Sequence, residues 1–318
     1  MSAQPAVAIV VPSWNSLPLL GRCLDSVAAE AGEAELVVVD NGSGDGSLEL
    51  LRERGIHHLA LPRNVGFAAA VNLGAARTAA PYVLALNADT VLEPGAVDTL
   101  AAALAADPGL GGVQPLLLQL EGEAPADPAQ ARLYSAGQAL SADGRALETG
   151  AGEAQAEAYR EPREVFGVCG AAAMLRRELF AELGGFDESY FAFYEDVDLN
   201  VRARIAGWGF RCEPAARVWH VGNASWLAGA ERPGAWNARL VARNRIATQA
   251  KFMPATALPR IAAVELGALA RAARQRRFRA TLRGKLEGLA RLPRSLRERR
   301  RLRRDGDLAR ARRWLGAG

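Results

Sequence analysis

The chain has 318 residues, 50% of them apolar, a length that suits one large α/β domain with an appendage or two small domains. The net charge of +4 is unevenly divided: residues 271–318 hold 18 Lys+Arg and 4 Asp+Glu, so +14, and residues 1–270 hold the remaining 21 and 31, so −10. No run of eighteen apolar residues occurs, which excludes a bilayer-spanning helix, and Met1 to Pro5 show no signal-peptide pattern.

Residues 6–11 form a short apolar run ending at Pro12, the pattern of a buried strand. Residues 17–29 follow with Leu20, Leu24 and Val27 at helical spacing. A second buried strand over 36–39 ends at Asp40, and the polar cluster Asn41-Gly42-Ser43-Gly44-Asp45-Gly46 turns the chain into a helix over 47–54. Residues 57–61 read as a third strand, Asn64-Val65-Gly66 as a break, 67–78 as an Ala-rich helix and 82–86 as a fourth strand. Strands alternating with helices through short connections imply βαβ units and a mostly parallel sheet, with ligands bound beyond the strands' C-terminal ends. Asn15, Asp40, Asn64 and Asp89 each lie just past a strand end, so four turns aim polar groups at one crevice. Asn and Asp favour turns on their own account; the joint pattern carries the reading.

Further along, a helix is expected over 93–106, a strand over 113–120 and a loop over 121–132. Residues 135–152 read as a hairpin-rich insertion turning at Asp143-Gly144 and Thr149-Gly150. A strand is expected over 165–175, a helix over 176–183 closed by Gly184-Gly185, and a helix over 197–205 ended by Gly207. Two short strands follow, over 210–213 and 217–221, and then helices over 235–250 and 259–274 and an Arg-rich end. Cys23, Cys169 and Cys212 are scattered without a CxxC pair, which fits free thiols in a reducing cytoplasm.

The chemistry is concentrated in two segments. Tyr194-Glu195-Asp196-Val197-Asp198-Leu199 is a carboxylate cluster bordered by aromatics, and its helix start favours anions. Asn87-Ala88-Asp89 is a polar tip directly after an apolar strand. One carboxylate holding a metal and another accepting a proton are the minimum for moving a group from a diphosphate to a hydroxyl.

In order along the chain stand Val11-Pro12-Ser13-Trp14-Asn15, Val39-Asp40-Asn41-Gly42-Ser43, Arg63-Asn64-Val65-Gly66-Phe67, Asn87-Ala88-Asp89, Gly184-Gly185-Phe186-Asp187-Glu188 and Glu195-Asp196-Val197-Asp198-Leu199. This series resembles family 2 glycosyltransferases, most of all the rhamnosyltransferase branch, over roughly residues 6–250. The resemblance implies a GT-A-type mixed α/β fold, a nucleotide-sugar donor (dTDP-rhamnose favoured, a UDP-sugar as the alternative) and inverting transfer to a glycan or lipid-linked acceptor. It implies that Asp40 accepts the imide N–H of uracil or thymine and that Pro12 and Asn15 wrap base and ribose. Asn64 and Asn72 would reach ribose or phosphate, and Gly66 would let the backbone approach the donor. Asp89 would bind Mg²⁺ or Mn²⁺ with His220 as a second ligand. Asn87 stands where many relatives have Asp, which makes it a ribose or water-mediated contact. Asp196 would be the general base, and Glu195 would orient it or touch the acceptor.

The expected division is a transferase domain over 1–232 and a helical, Arg-rich region over 233–318. Such a tail suits an anionic membrane surface, at the inner face of the plasma membrane, better than nucleic acid, for which no fold signature or aromatic interleaving is present. A nucleotidyltransferase would carry a Gly-rich basic loop after the first strand, which Pro12-Ser13-Trp14-Asn15 is not. A catalytically silent subunit of a glycan assembly complex is the remaining alternative, and the retained acids argue against it.

Overall fold

The computed structural model describes residues 6–30, 32–122, 128, 131–154, 159–222, 234–305, 310, 311, 313 and 314. In chain order the first half runs β1 (Val7–Ser13), α1 (Leu17–Glu30), β2 (Glu35–Asp40), α2 (Ser47–Glu53), β3 (His58–Ala60), α3 (Phe67–Ala75), β4 (Tyr82–Leu86), β5 (Thr90–Leu92), α4 (Ala96–Ala106) and β6 (Leu110–Gln119). An insertion of short strands follows, β7 (Leu133–Ser135), β8 (Gln138–Leu140) and β9 (Ala146–Glu148). The core resumes with β10 (Arg163–Glu164), β11 (Ala172–Arg176), α5 (Arg177–Leu183), α6 (Glu195–Ala206) and β12 (Gly209–His220). The chain continues with α7 (Ala235–Phe252), α8 (Leu258–Arg274), α9 (Phe278–Ala290) and α10 (Leu292–Asp305).

The central sheet has the order β10-β12-β6-β11-β4-β1-β2-β3. β1, β2, β3, β4, β6 and β12 run one way, and β10 and β11 run against them. This is the mixed, mostly parallel α/β sheet expected of the alternating pattern. Its strands are apolar on both faces because both faces are covered. Ile9 and Val11 pack in the core beneath α1 and α4, with Leu20, Leu84 and Leu100. Val10 points the other way, into a second core with Val39, Val71, Leu199 and Trp219 beneath α3, α5 and α6. Each such fully buried aliphatic side chain contributes roughly 1.5–3 kcal/mol relative to exposure.

Several expected elements need correction. The strand expected over 165–175 begins only at Ala172. The stretch before it spends its N–H groups on side chains instead of a ladder: Val168 donates to Asn200 Oδ1 (3.3 Å), Cys169 to Gln114 Oε1 (2.7 Å) and Gly170 to Asp196 Oδ2 (3.0 Å). The two strands expected over 210–221 are one, β12, with a register shift between Glu213 and Arg217, where Pro214 cannot donate to a ladder. The helix expected from residue 93 starts at Ala96, because β5 and a turn occupy the preceding residues. The loop expected over 121–132 falls mostly outside the described residues, as does the 232/233 boundary. All three cysteines are free and buried.

α7 is tied to the body of the molecule. Lys251, 4% exposed, bonds Asp198 (2.6 Å) and Asp187 (3.3 Å), and reaches Glu298 on α10 (2.9 Å). Burial opposes its charge, but Asp198, Tyr190 and Asp187 outweigh it and raise the ammonium pKa. Among the described residues, no helix is long and apolar enough to cross a membrane.

Candidate active site

The strand tips open onto a cavity of about 240 Å³. Pro12, Asn64, Asn87, Asp89 and His220 line it, and so do Glu195 and Asp196. Two acids far apart in sequence, Asp89 and Asp196, therefore face a common space.

Parallel register sets Ser13, at the end of β1, beside Asp40, at the end of β2. Asp40 is 1% exposed, and its Oδ2 accepts the Ser43 N–H (3.2 Å). Its Oδ1 and the Ser13 hydroxyl are buried without a partner. A buried carboxylate oxygen in that state is costly unless something donates to it. Asn15 has a different task. Its Oδ1 accepts the Gly44 N–H (2.9 Å) and its own N–H donates to Ser43 Oγ (3.0 Å), so it clamps the first loop to the second. Asn64 Oδ1 caps its own turn by accepting the Gly66 N–H (2.8 Å).

Two expectations change at this wall. Gly66 has φ +94°, and a Cβ there would lie 2.4 Å from the Phe191 carbonyl oxygen. The missing side chain first admits the Phe191 backbone, rather than a donor. Asn72 is not free for ribose or phosphate. Its amide donates to the Phe186 carbonyl (2.9 Å) and to Glu188 (3.0 Å), and its oxygen accepts the Phe186 N–H (2.9 Å).

Asp89 and His220 are brought together by strand pairing. β5 lies antiparallel to β12 with Thr90 opposite His220, and the Val221 N–H donates to the Asp89 carbonyl (3.1 Å). His220 Nε2 consequently lies 3.2 Å from Asp89 Oδ1 and 3.3 Å from Asn87 Nδ2. Tyr134 packs edge-on against the imidazole at 4.4 Å, and His220 Nδ1 is buried without a partner. No group of three or more His, Cys, Asp or Glu that could hold a metal is found among the described residues. A carboxylate oxygen and an imidazole nitrogen converging on one point do fit a divalent cation whose remaining ligands are phosphate oxygens. They would not make an all-protein cage.

The wall that carries Asp196 begins with a strained turn. Phe191, Phe193 and Tyr194 have φ of 67°, 67° and 72°, values that aromatic residues rarely adopt. α7 holds them there: the Asn244 amide reaches the carbonyls of Tyr190 (2.9 Å), Ala192 (2.8 Å) and Phe193 (2.7 Å), and Arg243 donates to Tyr190 O (2.6 Å). The chain then enters α6. Asp196 Oδ2 accepts from the Gly170 N–H (3.0 Å) and Gln138 Nε2 (3.0 Å), and Oδ1 from the Val197 N–H (2.7 Å). Burial raises its pKa above the ordinary value, while these donors pull it back. Glu195 is pushed up much further, by burial and then by Asp196, and its Oε2 has no partner. Asp198 faces away and bonds Arg202 (2.6 Å) and Lys251.

The sequence reading missed cavity-lining residues: Tyr134, Gln138, Ala146 and Glu148 from the insertion, and Val241 from α7. Gln138 and Glu148 sit on the strands flanking the Asp143-Gly144 turn that the sequence did reveal. Nothing local marks them as facing Asp196, since the contact spans 58 residues of chain.

The architecture is that of a GT-A glycosyltransferase. Among solved structures, GalNAc-T7, crystallised with UDP, GalNAc and Mn²⁺, superposes with a TM-score of 0.62 at 17% identity, covering 79% of this chain and 49% of that one. A mannosyltransferase from Pyrobaculum calidifontis, in complex with GDP-Man and Mn²⁺, gives 0.50 at 19% identity over 98% of this chain and 78% of its own. The model of glycosyl transferase family 2 matches residues 8–184, and the chain belongs to that family. It is 30% identical over 232 residues to the N-acetylglucosaminyl-diphospho-decaprenol L-rhamnosyltransferase of Mycobacterium tuberculosis, covering 67% of this chain and 75% of that one. The protein is a glycosyltransferase similar to rhamnosyltransferases.

Proposed function

We propose that the protein is an inverting, metal-dependent transferase that moves rhamnose from dTDP-rhamnose to a hydroxyl of a cell-envelope or lipid-linked glycan. The observation that carries the reading is that Asp89, His220 and Asp196 line one cavity. The mycobacterial relative's rhamnose and diphospho-decaprenol acceptor support the choice of donor and acceptor class.

Asp40, with one oxygen unpartnered, receives the imide N–H of thymine, and Pro12 and Asn64 bound the nucleoside pocket. Asn15 acts there only by fixing the loop that Pro12 begins. Asp89 and His220 hold Mg²⁺ or Mn²⁺, with Asn87 alongside. A bound cation would neutralise the diphosphate leaving group. Asp196 takes the proton of the acceptor hydroxyl as the oxygen bonds the anomeric carbon and the bond to the diphosphate breaks. A carboxylate raised by burial is a stronger proton acceptor than one in water, and its three N–H donors fix its direction. Glu195, next to it, holds its proton more firmly and serves the acceptor side.

A lipid-linked acceptor requires access to a membrane. Leu266, Phe278, Leu282, Leu286 and Leu289 are exposed on α8 and α9 among arginines. We assign this face to the anionic surface on the cytoplasmic side.

The test combines a thermal shift with turnover. Stabilisation by dTDP-rhamnose plus Mn²⁺ beyond that by UDP- or GDP-sugars is expected. A UDP-sugar preference would keep the Asp40 role and replace the sugar; a GDP preference would remove both. Asp196→Asn should lower kcat by roughly 10²–10⁴-fold, the scale of a lost general base. Unchanged turnover in that variant would end the base assignment.

A further inference from the structure

Glu148 lies at the end of β9 and Gln138 at the start of β8, on the pair of short strands between β6 and β10. Both line the cavity. The Gln138 side chain, 2% exposed, forms the centre of a chain of hydrogen bonds. Its Nε2 donates to Asp196 Oδ2 (3.0 Å) and to Glu148 Oε1 (3.2 Å). Its Oε1 accepts from Asn200 Nδ2 (2.8 Å).

The orientation of this amide is over-determined. Asn200 is fully buried; it also donates to the Val168 carbonyl (2.9 Å) and accepts the Val168 N–H (3.3 Å). Asn200 must therefore present its NH₂ toward Gln138, and Gln138 must present its own NH₂ toward the two carboxylates. Close packing secures the arrangement, since a Cβ on Gly167 would lie 2.2 Å from the Asn200 amide. At the far end, Glu148 Oε2 accepts the Ser135 hydroxyl (2.6 Å), and Ser135 Oγ accepts from Gln114 Nε2 (3.0 Å). The donors thus converge on two carboxylates: Ser135 and Gln138 on Glu148, and Gln138 on Asp196.

We infer that Gln138 and Glu148 are positioning residues for the carboxylate of Asp196, so that the β8–β9 insertion is a working part of the active site. Gln138 aims the carboxylate and favours its charged form by donating to it. Glu148 anchors the second N–H of Gln138 and sets a negative charge near Asp196. The two effects on Asp196 oppose each other: the donor lowers its proton affinity throughout, and the neighbouring charge raises it only once Glu148 ionises, near pH 7. The interaction is visible on Glu148 itself, whose pKa is pushed up to about 7 by burial and then by Asp196.

The other titratable groups facing this pair are Glu195 on α6, His220 on β12, Tyr134 on β7 and Cys169 before β11. Burial raises the tyrosine and the cysteine well above their ordinary values, so neither competes for the proton. The inference rests on Asp196 being the base.

The experiment is the pH dependence of kcat/KM, with kcat and donor KM, for the full chain and for Asp196→Asn, Glu148→Gln and Gln138→Leu. Glu148→Gln keeps the shape and can still accept from Gln138 while donating to Ser135. It should leave the acid limb in place, since Glu148 is neutral where Asp196 titrates, and remove the inflection that the ionisation of Glu148 adds near pH 7. Gln138→Leu should move the acid limb to higher pH. Each should reduce kcat by about tenfold, the scale of one hydrogen bond to a charged group, with donor KM unchanged. Loss of packing alone would neither move the one limb nor remove the one inflection. If Asp196→Asn is inactive yet Gln138→Leu leaves the acid limb in place, or Glu148→Gln leaves the profile near pH 7 unchanged, the inference is overturned. If Asp196→Asn retains turnover, the base assignment fails instead. Should Gln138→Leu not fold, the isosteric Glu148→Gln decides alone.

Discussion

The two walls of the cavity are built by different means. The wall made from residues 12–89 and His220 carries polar atoms with no partner, Ser13 Oγ and His220 Nδ1, and Asp40 Oδ1, next to Ser13 in the sheet, is unpartnered behind it. The wall around Asp196 is densely cross-bonded, with three donors on one carboxylate and the Gln138, Asn200 and Asn244 amides fixed at both ends. Glu195 Oε2 is the unpartnered atom next to it. Buried polar groups are normally satisfied, so unsatisfied ones cluster where a ligand completes them. The first wall suits a ligand that brings its own donors and charge. The second has its geometry settled before anything binds, as a group that must act on a reacting atom requires.

The sharpest way to break this contrast is to remove a group from the first wall. Asp89→Ala should lower turnover by about a hundredfold or more, because charge neutralisation of a leaving diphosphate supplies several kcal/mol. It should also abolish Mn²⁺-dependent stabilisation in a thermal shift with nucleoside diphosphate. Titration of Mn²⁺ with nucleotide present reads this directly. Undiminished Mn²⁺ affinity in Asp89→Ala would place the cation elsewhere, and the walls would then not differ as described.

The contrast also explains what the sequence revealed. The first wall was legible because each of its groups follows a strand, and strands announce themselves by short apolar runs such as 7–11 and 82–86. A residue one step past such a run is at the sheet's C-terminal edge whatever else the chain does. The contacts of Gly66 and Asn72 are not legible locally, because their partners, Phe191 and Phe186, lie more than a hundred residues away. The second wall was only half legible. Glu195 and Asp196 stand out as charges at a helix start, but Gln138, Glu148 and Val241 join them through pairings between distant segments. Even the irregular stretch before β11 has this origin, since its N–H groups serve Asp196, Asn200 and Gln114.

The tail tests whether the comparison extends to the acceptor. If the second wall receives a lipid-linked hydroxyl, the exposed apolar face of α8 and α9 should bind membranes. Sedimentation with vesicles rich in phosphatidylglycerol should show binding that falls with salt. A Leu282→Glu, Leu286→Glu double variant should bind about tenfold or more weakly, since charge replaces exposed leucine on an anionic surface. Equal binding to neutral vesicles and by the double variant would remove the membrane assignment while leaving both walls untouched.

The smallest effect concerns stability, and here the sign is informative. Glu148 has an ordinary value of 4.5, raised in the fold to about 7 by burial first and Asp196 second. A carboxyl group whose folded pKa is raised is held in its neutral form by folding. Below pH 4.5 it costs nothing; as pH rises through this window the fold loses stability, and above about 7 the loss is complete. Glu148→Gln cannot ionise, so it escapes the loss. Near pH 8 it should be more stable than the parent chain by on the order of 2 kcal/mol, and near pH 4 by almost nothing. Melting temperatures at the two pH values measure the difference. A variant less active yet more stable at neutral pH would mean that the charge is kept beside Asp196 at the expense of the fold. An equal melting shift at both pH values would show instead that Glu148 carries no such charge, and the second wall would lose its claim to be electrostatically prepared.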